Sequence, residues 1–343
     1  MKPLLNTLYI QTQGSYLRLD HETLKIEVER ETVFQIPLHH LRSIVVFGNV
    51  LVSPFLLHRC AEDGRDVVWL SEHGRFQARL NGPTTGNVLL RRDQYAVLNN
   101  EAKTLEIARF MVAGKLQNAR TILKRAAREA KGSPDQDALN EAAEAQAQGI
   151  RMAERALELD ALRGIEGSAA KAYFAAFSSM VRLNRDVFGF TERSRRPPRD
   201  PVNALLSLAY ALLSNECVAA CESVGLDPQV GFLHALRPGR PALALDLMEE
   251  LRAPLADRLV LTLINRNQIK PDDFMDRPGG GIYLTETARK TFLAAYQKRK
   301  QEEITHPVLN SKVPYGLIAH IQARLLARHL RGDLPCYQPF LFR

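Results

Sequence analysis

The periodicity of this chain changes once, near residue 90, and that change limits what it can fold into. Before it, Thr7–Thr12, Tyr16–Leu19 and Thr23–Val28 largely alternate apolar with polar residues, and Thr32–Ile36 does so less cleanly. A period of two marks half-buried strands. Leu41–Phe47 adds a strand rich in β-branched residues, Asp66–Leu70 a buried one and Phe76–Leu80 a short one. Ser53-Pro54 opens a short helix over Phe55–Glu62, with serine placed to cap and proline in the first turn. Asn81–Gly86 reads as a turn-forming linker.

After the change, apolar residues recur at spacings of three and four. In Glu101–Lys131 they are Leu105, Ala108, Val112, Leu116, Ala119 and Leu123, the stripe of an amphipathic helix. Further helices are expected over Ala138–Leu162, Gly164–Leu183, Val202–Val224, Pro241–Arg252, Ala253–Asn265, Glu286–Glu302 and Gly316–Leu330. Asp272–Gly281, with its triple glycine, reads as a flexible loop. The expected class is α+β in two domains: a mostly-β domain over residues 1–86 and a larger all-α domain over 87–343.

The chain's 343 residues carry a formal net charge of +8, a sign that favours a polyanionic partner. Cys60, Cys217, Cys221 and Cys336 form no CxxC pair, which argues against structural zinc and for free thiols. No run approaches eighteen apolar residues and the N-terminus lacks a long apolar stretch, so a cytoplasmic protein with no membrane span is expected. There is no GxSxG elbow, no Walker A lysine and no GxGxxG after a strand.

Three segments carry metal-ligand chemistry. Glu166 sits among small residues in Gly164-Ile-Glu-Gly-Ser-Ala-Ala170. These either let another backbone or a nucleic-acid strand come close, or are helix-packing positions. His234 follows Gly231-Phe-Leu, where a histidine is either a ligand or a satisfied core residue, and Arg237 and Arg240 beside it suit a phosphate. Asp246, Glu249 and Glu250 fall within an arc of about 100° on the helix after Pro241. That arc is either a solvated acidic face or a cation site beside the packed Leu243, Leu247 and Leu251. Two carboxylates and an imidazole suit Mn²⁺ or Mg²⁺, provided they converge in space. The arc alone leaves open which of the three carboxylates would coordinate. Six arginines (Arg182, Arg185, Arg193, Arg195, Arg196, Arg199) crowd one loop against Asp186 and Glu192, a candidate phosphate clamp. Arg324 and Arg328 extend a basic stripe with His320 and Arg331. Each basic patch reads equally as a solvated face. No base-reading motif is present.

The ordered set Leu162-Arg-Gly-Ile-Glu-Gly167, Pro197-Pro-Arg-Asp-Pro-Val-Asn203, Gly225-Leu-Asp-Pro228, Gly231-Phe-Leu-His234 and Leu243-Ala-Leu-Asp-Leu-Met-Glu-Glu250 resembles the CRISPR-associated endonuclease and integrase family Cas1 over nearly the full length. Ile264-Asn-Arg-Asn-Gln-Ile269 and the closing Tyr337-Gln-Pro-Phe340 resemble its subtype I-C branch. The resemblance implies an N-terminal β domain and a helical domain holding the metal on Glu166, His234 and Glu249, with Asp246 near the site, which leaves Glu250 expected in solvent. It implies insertion of short DNA fragments (prespacers) into a CRISPR array by attack of a 3′ hydroxyl on a repeat-end phosphodiester. The implied partners are double-stranded and branched DNA, the CRISPR repeat and leader, a second copy bound through the β domain, and the small protein Cas2. A stand-alone nuclease on branched DNA, or a non-catalytic DNA-binding scaffold, are the alternatives.

Overall fold

A computed structural model describes residues 5–83 and 88–342. The N-terminal part holds two four-stranded sheets. In the first, β1 (Thr7–Ile10), β5 (Ser43–Phe47) and β7 (Asp66–Leu70) run parallel, and β8 (Phe76–Arg79) closes the edge antiparallel. In the second, β2 (Tyr16–Asp20), β3 (Thr23–Val28) and β4 (Glu31–Pro37) form a meander, and the two-residue β6 (Leu51–Val52) pairs parallel with β2. Helix α1 (Pro54–Glu62) follows, with the Ser53 hydroxyl capping the Leu56 N–H as expected.

Strand β5 explains why Leu41–Phe47 does not alternate. Ile44 and Val46 pack with Leu17 and Leu24 in the core of the β domain. Val45 and Phe47, with Val68 and Leu70 of β7, point the other way into the helical core. A parallel sheet buried on both faces is apolar throughout. Fully burying side chains of this size is worth roughly 1.5–3 kcal/mol each, so the four hold the sheet firmly on the helices. Arg289, almost fully buried, adds polar links: its Nε donates to Gln11 Oε1 at 2.6 Å and another nitrogen to the Glu72 carbonyl. The expected domain boundary at 86/87 lies outside the described residues.

The helical part comprises α2 (Val88–Leu98), α3 (Glu101–Glu129), α4 (Asp135–Arg155), α5 (Leu159–Ala175), α6 (Pro201–Val224), α7 (Ala242–Leu251), α8 (Arg258–Asn265), α9 (Glu286–Gln301) and α10 (Ile318–Leu330). By length and composition α6, with a mean hydropathy of 1.5, is apolar enough to cross a membrane, although Asn203, Ser207, Asn215 and Glu216 interrupt its apolar run. Here it is a core helix, burying Leu205, Leu206, Ala209 and Cys217. It starts where Asp200 caps the Asn203 N–H at 2.7 Å and ends at Gly225 with φ 87°, a left-handed cap that suits glycine.

Four expectations need correction. The break between the second and third long helices falls at 156–158 rather than near Arg163. No glycine or proline marks it; Ala156 and Glu158 are extended, and the Arg109 guanidinium grips the Ala156 carbonyl through Nε at 2.9 Å. Glu166 therefore rides well inside α5. The loop Asp272–Gly281 is largely a hairpin of β9 (Phe274–Arg277) and β10 (Gly281–Leu284), turned by Gly279 and Gly280 at positive φ. A second hairpin, β11 (Glu303–His306) with β12 (Ser311–Pro314), went unread, so this part is not all-α. Four-residue strands are too short for their period to show. Between α7 and α8 the chain does not break: Arg252–Asp257 forms a π-helical stretch. Pro254 lies in it and lacks the N–H that an α-helical ladder needs.

Candidate metal centre

Asp246 organises the site. It is fully buried on α7, and its carboxylate receives four donors from the segment ahead of it. Oδ2 accepts the N–H of Phe232 at 2.7 Å and of Leu233 at 3.0 Å. Oδ1 accepts the N–H of His234 at 3.0 Å and faces His234 Nδ1 at 2.6 Å. A carboxylate oxygen accepts, so Nδ1 turns its N–H to Asp246 and Nε2 is the ring nitrogen left for another partner. Nε2 faces Glu249, 3.7 Å from Oε1. The loop lies tight on α7 because residue 231 is glycine; a Cβ there would fall 2.6 Å from Asp246 Oδ2 and from the Ala242 carbonyl carbon.

Two further clamps hold the loop. Arg163 Nε of α5 donates to the Leu233 carbonyl at 2.7 Å. Gln94 of α2, fully buried, donates to the carbonyls of Asp227 at 2.9 Å and Val230 at 2.8 Å. In return it accepts the Asp227 N–H at 2.9 Å.

Glu249 is nearly buried, one turn along α7 from Asp246. Burial alone would raise its pKa. Arg252, Lys115 and His234 together outweigh this and hold it at about 2. Arg252 Nη2 lies 3.0 Å from Oε1, and Lys115 Nζ of α3 lies 2.7 Å from Oε2. The same ammonium pairs with Glu166 of α5. The structure thus brings Glu166, His234 and Glu249 around one point, with Lys115 between the two carboxylates. Among the described residues no three His, Cys, Asp or Glu side chains close up as the ligands of one ion would; the ammonium stands where they would close. The donor set nevertheless fits a hard divalent cation: two carboxylates, an imidazole whose Nε2 faces one of them, and a buried Glu249 Oε2 that receives no aligned hydrogen bond. Gly164 and Gly167 are exposed, and a Cβ on either would meet nothing within 4 Å. They are not packing positions, and the α5 surface beside Glu166 is smooth.

A family profile described as CRISPR associated protein Cas1 matches residues 8–298. The chain belongs to the Cas1 family. It is 58% identical over 343 residues to a CRISPR-associated endonuclease Cas1 of Moorella thermoacetica, covering all of both chains. It is 49% identical to one of Chlorobaculum tepidum, again over the whole of both. The solved structure of TM1797, a Cas1 protein of Thermotoga maritima, superposes with a TM-score of 0.83 at 25% identity, covering 98% of this chain and 100% of that one. The chain is therefore a CRISPR-associated endonuclease of this family, with the family's N-terminal β domain and C-terminal helical domain.

In this Cas1 chain Glu250 is not in solvent, as the sequence suggested, but fully buried. It faces the back of α7 and holds the C-terminal tail. Tyr337 donates to one of its oxygens, and the Phe340 N–H and Gln322 Nε2 to the other at 2.7 and 2.8 Å. Burial dominates these bonds and pushes its pKa up to about 8. Asn118 of α3 completes the clamp, donating to the Glu250 and Phe340 carbonyls at 2.8 Å each. Neighbouring carboxyls on one helix are thus driven in opposite directions, Glu249 by cations and Glu250 by burial.

The basic loop splits in two. Arg182 pairs with Glu129, and Arg185 with Asp135 at 2.6 Å. Arg193 turns inward to Asn203 Oδ1 at 2.5 Å and lies over the Tyr210 ring, on which Arg252 also lies. Tyr210 and Tyr173 donate to Asp257, which burial raises to about 6. Arg193 is therefore internal support for the Arg252 side of the centre. Arg195, Arg196 and Arg199 are exposed, as are Arg324 and Arg328 on α10. Arg237 is exposed on the turn that the Arg240 N–H closes onto the Arg237 carbonyl at 3.0 Å; neither arginine has a place in the bonds around His234. Cys217 and Cys221 are buried free thiols.

Sequence reasoning missed Lys115 and Arg252. Lys115 is the one charge within Phe110–Ala119, an isolated cation in an otherwise uncharged stretch of α3. Arg252 stands three residues after Glu249, a helical neighbour by spacing.

Proposed function

We propose that Glu166, His234 and Glu249 hold one divalent ion, Mn²⁺ or Mg²⁺, and that DNA strands are joined and cut there. The observation that carries this is the buried Asp246, which fixes His234 so that its free nitrogen faces Glu249. The ion supplies polarisation of a phosphoryl oxygen and a lowered pKa for an attacking hydroxyl. The chain's own residues do the rest. Asp246 sets the tautomer, and Arg252 keeps Glu249 ionised. The smooth α5 face beside Gly164 and Gly167 admits a DNA backbone. Exposed Arg195, Arg196, Arg199, Arg324 and Arg328 hold phosphates, and Arg237 lines the outer rim.

In the joining reaction the 3′ hydroxyl of a short DNA fragment attacks a phosphodiester at a repeat end of the CRISPR array. A new P–O bond forms, the old one breaks, and the leaving 3′ oxygen takes a proton. The working assembly in this reading is a homodimer through the β domain together with Cas2, acting on fragment and branched DNA in the cytoplasm. The β domain spans 1–86 and the helical domain 87–343. The closing Tyr337-Gln-Pro-Phe340 favours the subtype I-C branch.

Glu166→Ala and His234→Ala test the assignment. Both should lose strand transfer and Mn²⁺ binding together. Full strand transfer in either would remove that residue from the site, and lost joining with retained hydrolysis of branched DNA would favour a stand-alone nuclease.

A further inference from the structure

Among the described residues Lys115 is the one cation that pairs with both candidate ligand carboxylates, Glu166 and Glu249, and they come from different helices. Its side chain is mostly buried, so it is not a surface lysine that happens to be near. Without a positive charge between them, two carboxylates in this setting would repel each other. A divalent ion and an ammonium therefore compete for the same oxygens.

The structure also offers the ammonium somewhere to go. Behind Glu249 lies a cavity of about 30 Å³, space for roughly one water or one ammonium. Lys115 lines it, together with Gln146, Tyr173, Tyr210, Arg252 and Asp257. Gln146 is buried, with its Nε2 donating to the Ala169 carbonyl at 2.8 Å, and its Oε1 has no hydrogen-bond partner. An unpartnered buried acceptor beside a lysine is a second docking point for that lysine.

We infer that Lys115 is the resident cation of the metal-free centre: it bridges Glu166 and Glu249, and yields them to the divalent ion by withdrawing toward Gln146. The inference rests on the metal reading given above. Lys115 is a positioning residue, not a ligand. It keeps the carboxylates facing one another before the ion arrives, and it weakens ion binding because it must first be displaced.

The test is Mn²⁺ binding by titration calorimetry, with melting in EDTA, on the full chain. Lys115→Met should melt earlier than wild type in EDTA and bind Mn²⁺ at least about tenfold tighter, since the competing state is gone. Lys115→Arg keeps the charge in a larger, forked group and should bind Mn²⁺ more weakly than wild type. It preserves the cation, so it serves even if the methionine variant does not fold. Wild-type binding with Lys115→Met unchanged or weaker, or Lys115→Arg as tight as wild type, overturns the inference alone. No Mn²⁺ binding by wild type or either variant overturns the metal reading itself. Binding by Lys115→Met but not by wild type supports displacement.

Discussion

Replacing Asp246 by asparagine is the sharpest perturbation of the arrangement described here. The carboxylate accepts four donors, three backbone N–H groups and His234 Nδ1, at 2.6 to 3.0 Å in a fully buried position. Asparagine has the same shape but one acceptor oxygen; its amide nitrogen must face either Phe232 and Leu233 or the two nitrogens of His234. Two hydrogen bonds to a charged acceptor are lost whichever way it turns. At roughly 1.5–3 kcal/mol each, the expected loss of stability is about 3–6 kcal/mol, read from urea unfolding. The tautomer of His234 is no longer fixed, and losing such an outer partner of a metal-binding histidine costs about 10–100-fold in metal affinity. Mn²⁺ titration reads that second number. A variant within about 1 kcal/mol of wild type and within about twofold in Mn²⁺ affinity would refute the claim that Asp246 sets the His234 loop.

Other outcomes follow from the same contacts. Burial holds the Glu250 carboxyl at about 8 against an ordinary 4.5, so the folded chain keeps a proton that the unfolded chain releases. Its contribution is full below pH 4.5 and is lost as pH rises from there through 8, at about 1.4 kcal/mol per pH unit. Wild type minus Glu250→Gln in urea unfolding should show that slope, and parallel pH profiles would contradict it. Replacing exposed Arg195, Arg196 and Arg199 together by alanine should weaken binding of non-specific duplex DNA. The salt dependence should become shallower by about two to three in log–log slope, near 0.9 per lost phosphate contact. An unchanged slope would take the loop away from the DNA.

The change of periodicity near residue 90 carried most of the architecture, because long helices and alternating strands leave a repeated imprint. The break at Ala156 left none: an arginine from another helix makes it. The two small hairpins are shorter than the window in which a period can be seen. The site divides the same way. Glu166, His234 and Glu249 were legible as types of ligand, but not as partners, since their convergence depends on Asp246 bonding the backbone of the preceding loop and on Lys115 of α3 joining Glu166 to Glu249. Glu250 was misjudged because helical angle alone placed it beside Glu249. Its burial comes from a tail nearly ninety residues later, through Tyr337 and Phe340. Half of the clustered arginines proved to be tied to acids or turned inward, which charge counting does not distinguish from a binding face.

The central claim is that one divalent ion sits among Glu166, His234 and Glu249. Crystals soaked in Mn²⁺ and measured at the manganese absorption edge test it directly. One anomalous peak per chain is expected, with oxygens of Glu166 and Glu249 and Nε2 of His234 within about 2.0–2.6 Å, and with Lys115 off the carboxylates. Saturating Mn²⁺ with no peak there and Lys115 still bridging Glu166 and Glu249, or a peak held by other residues alone, would contradict it.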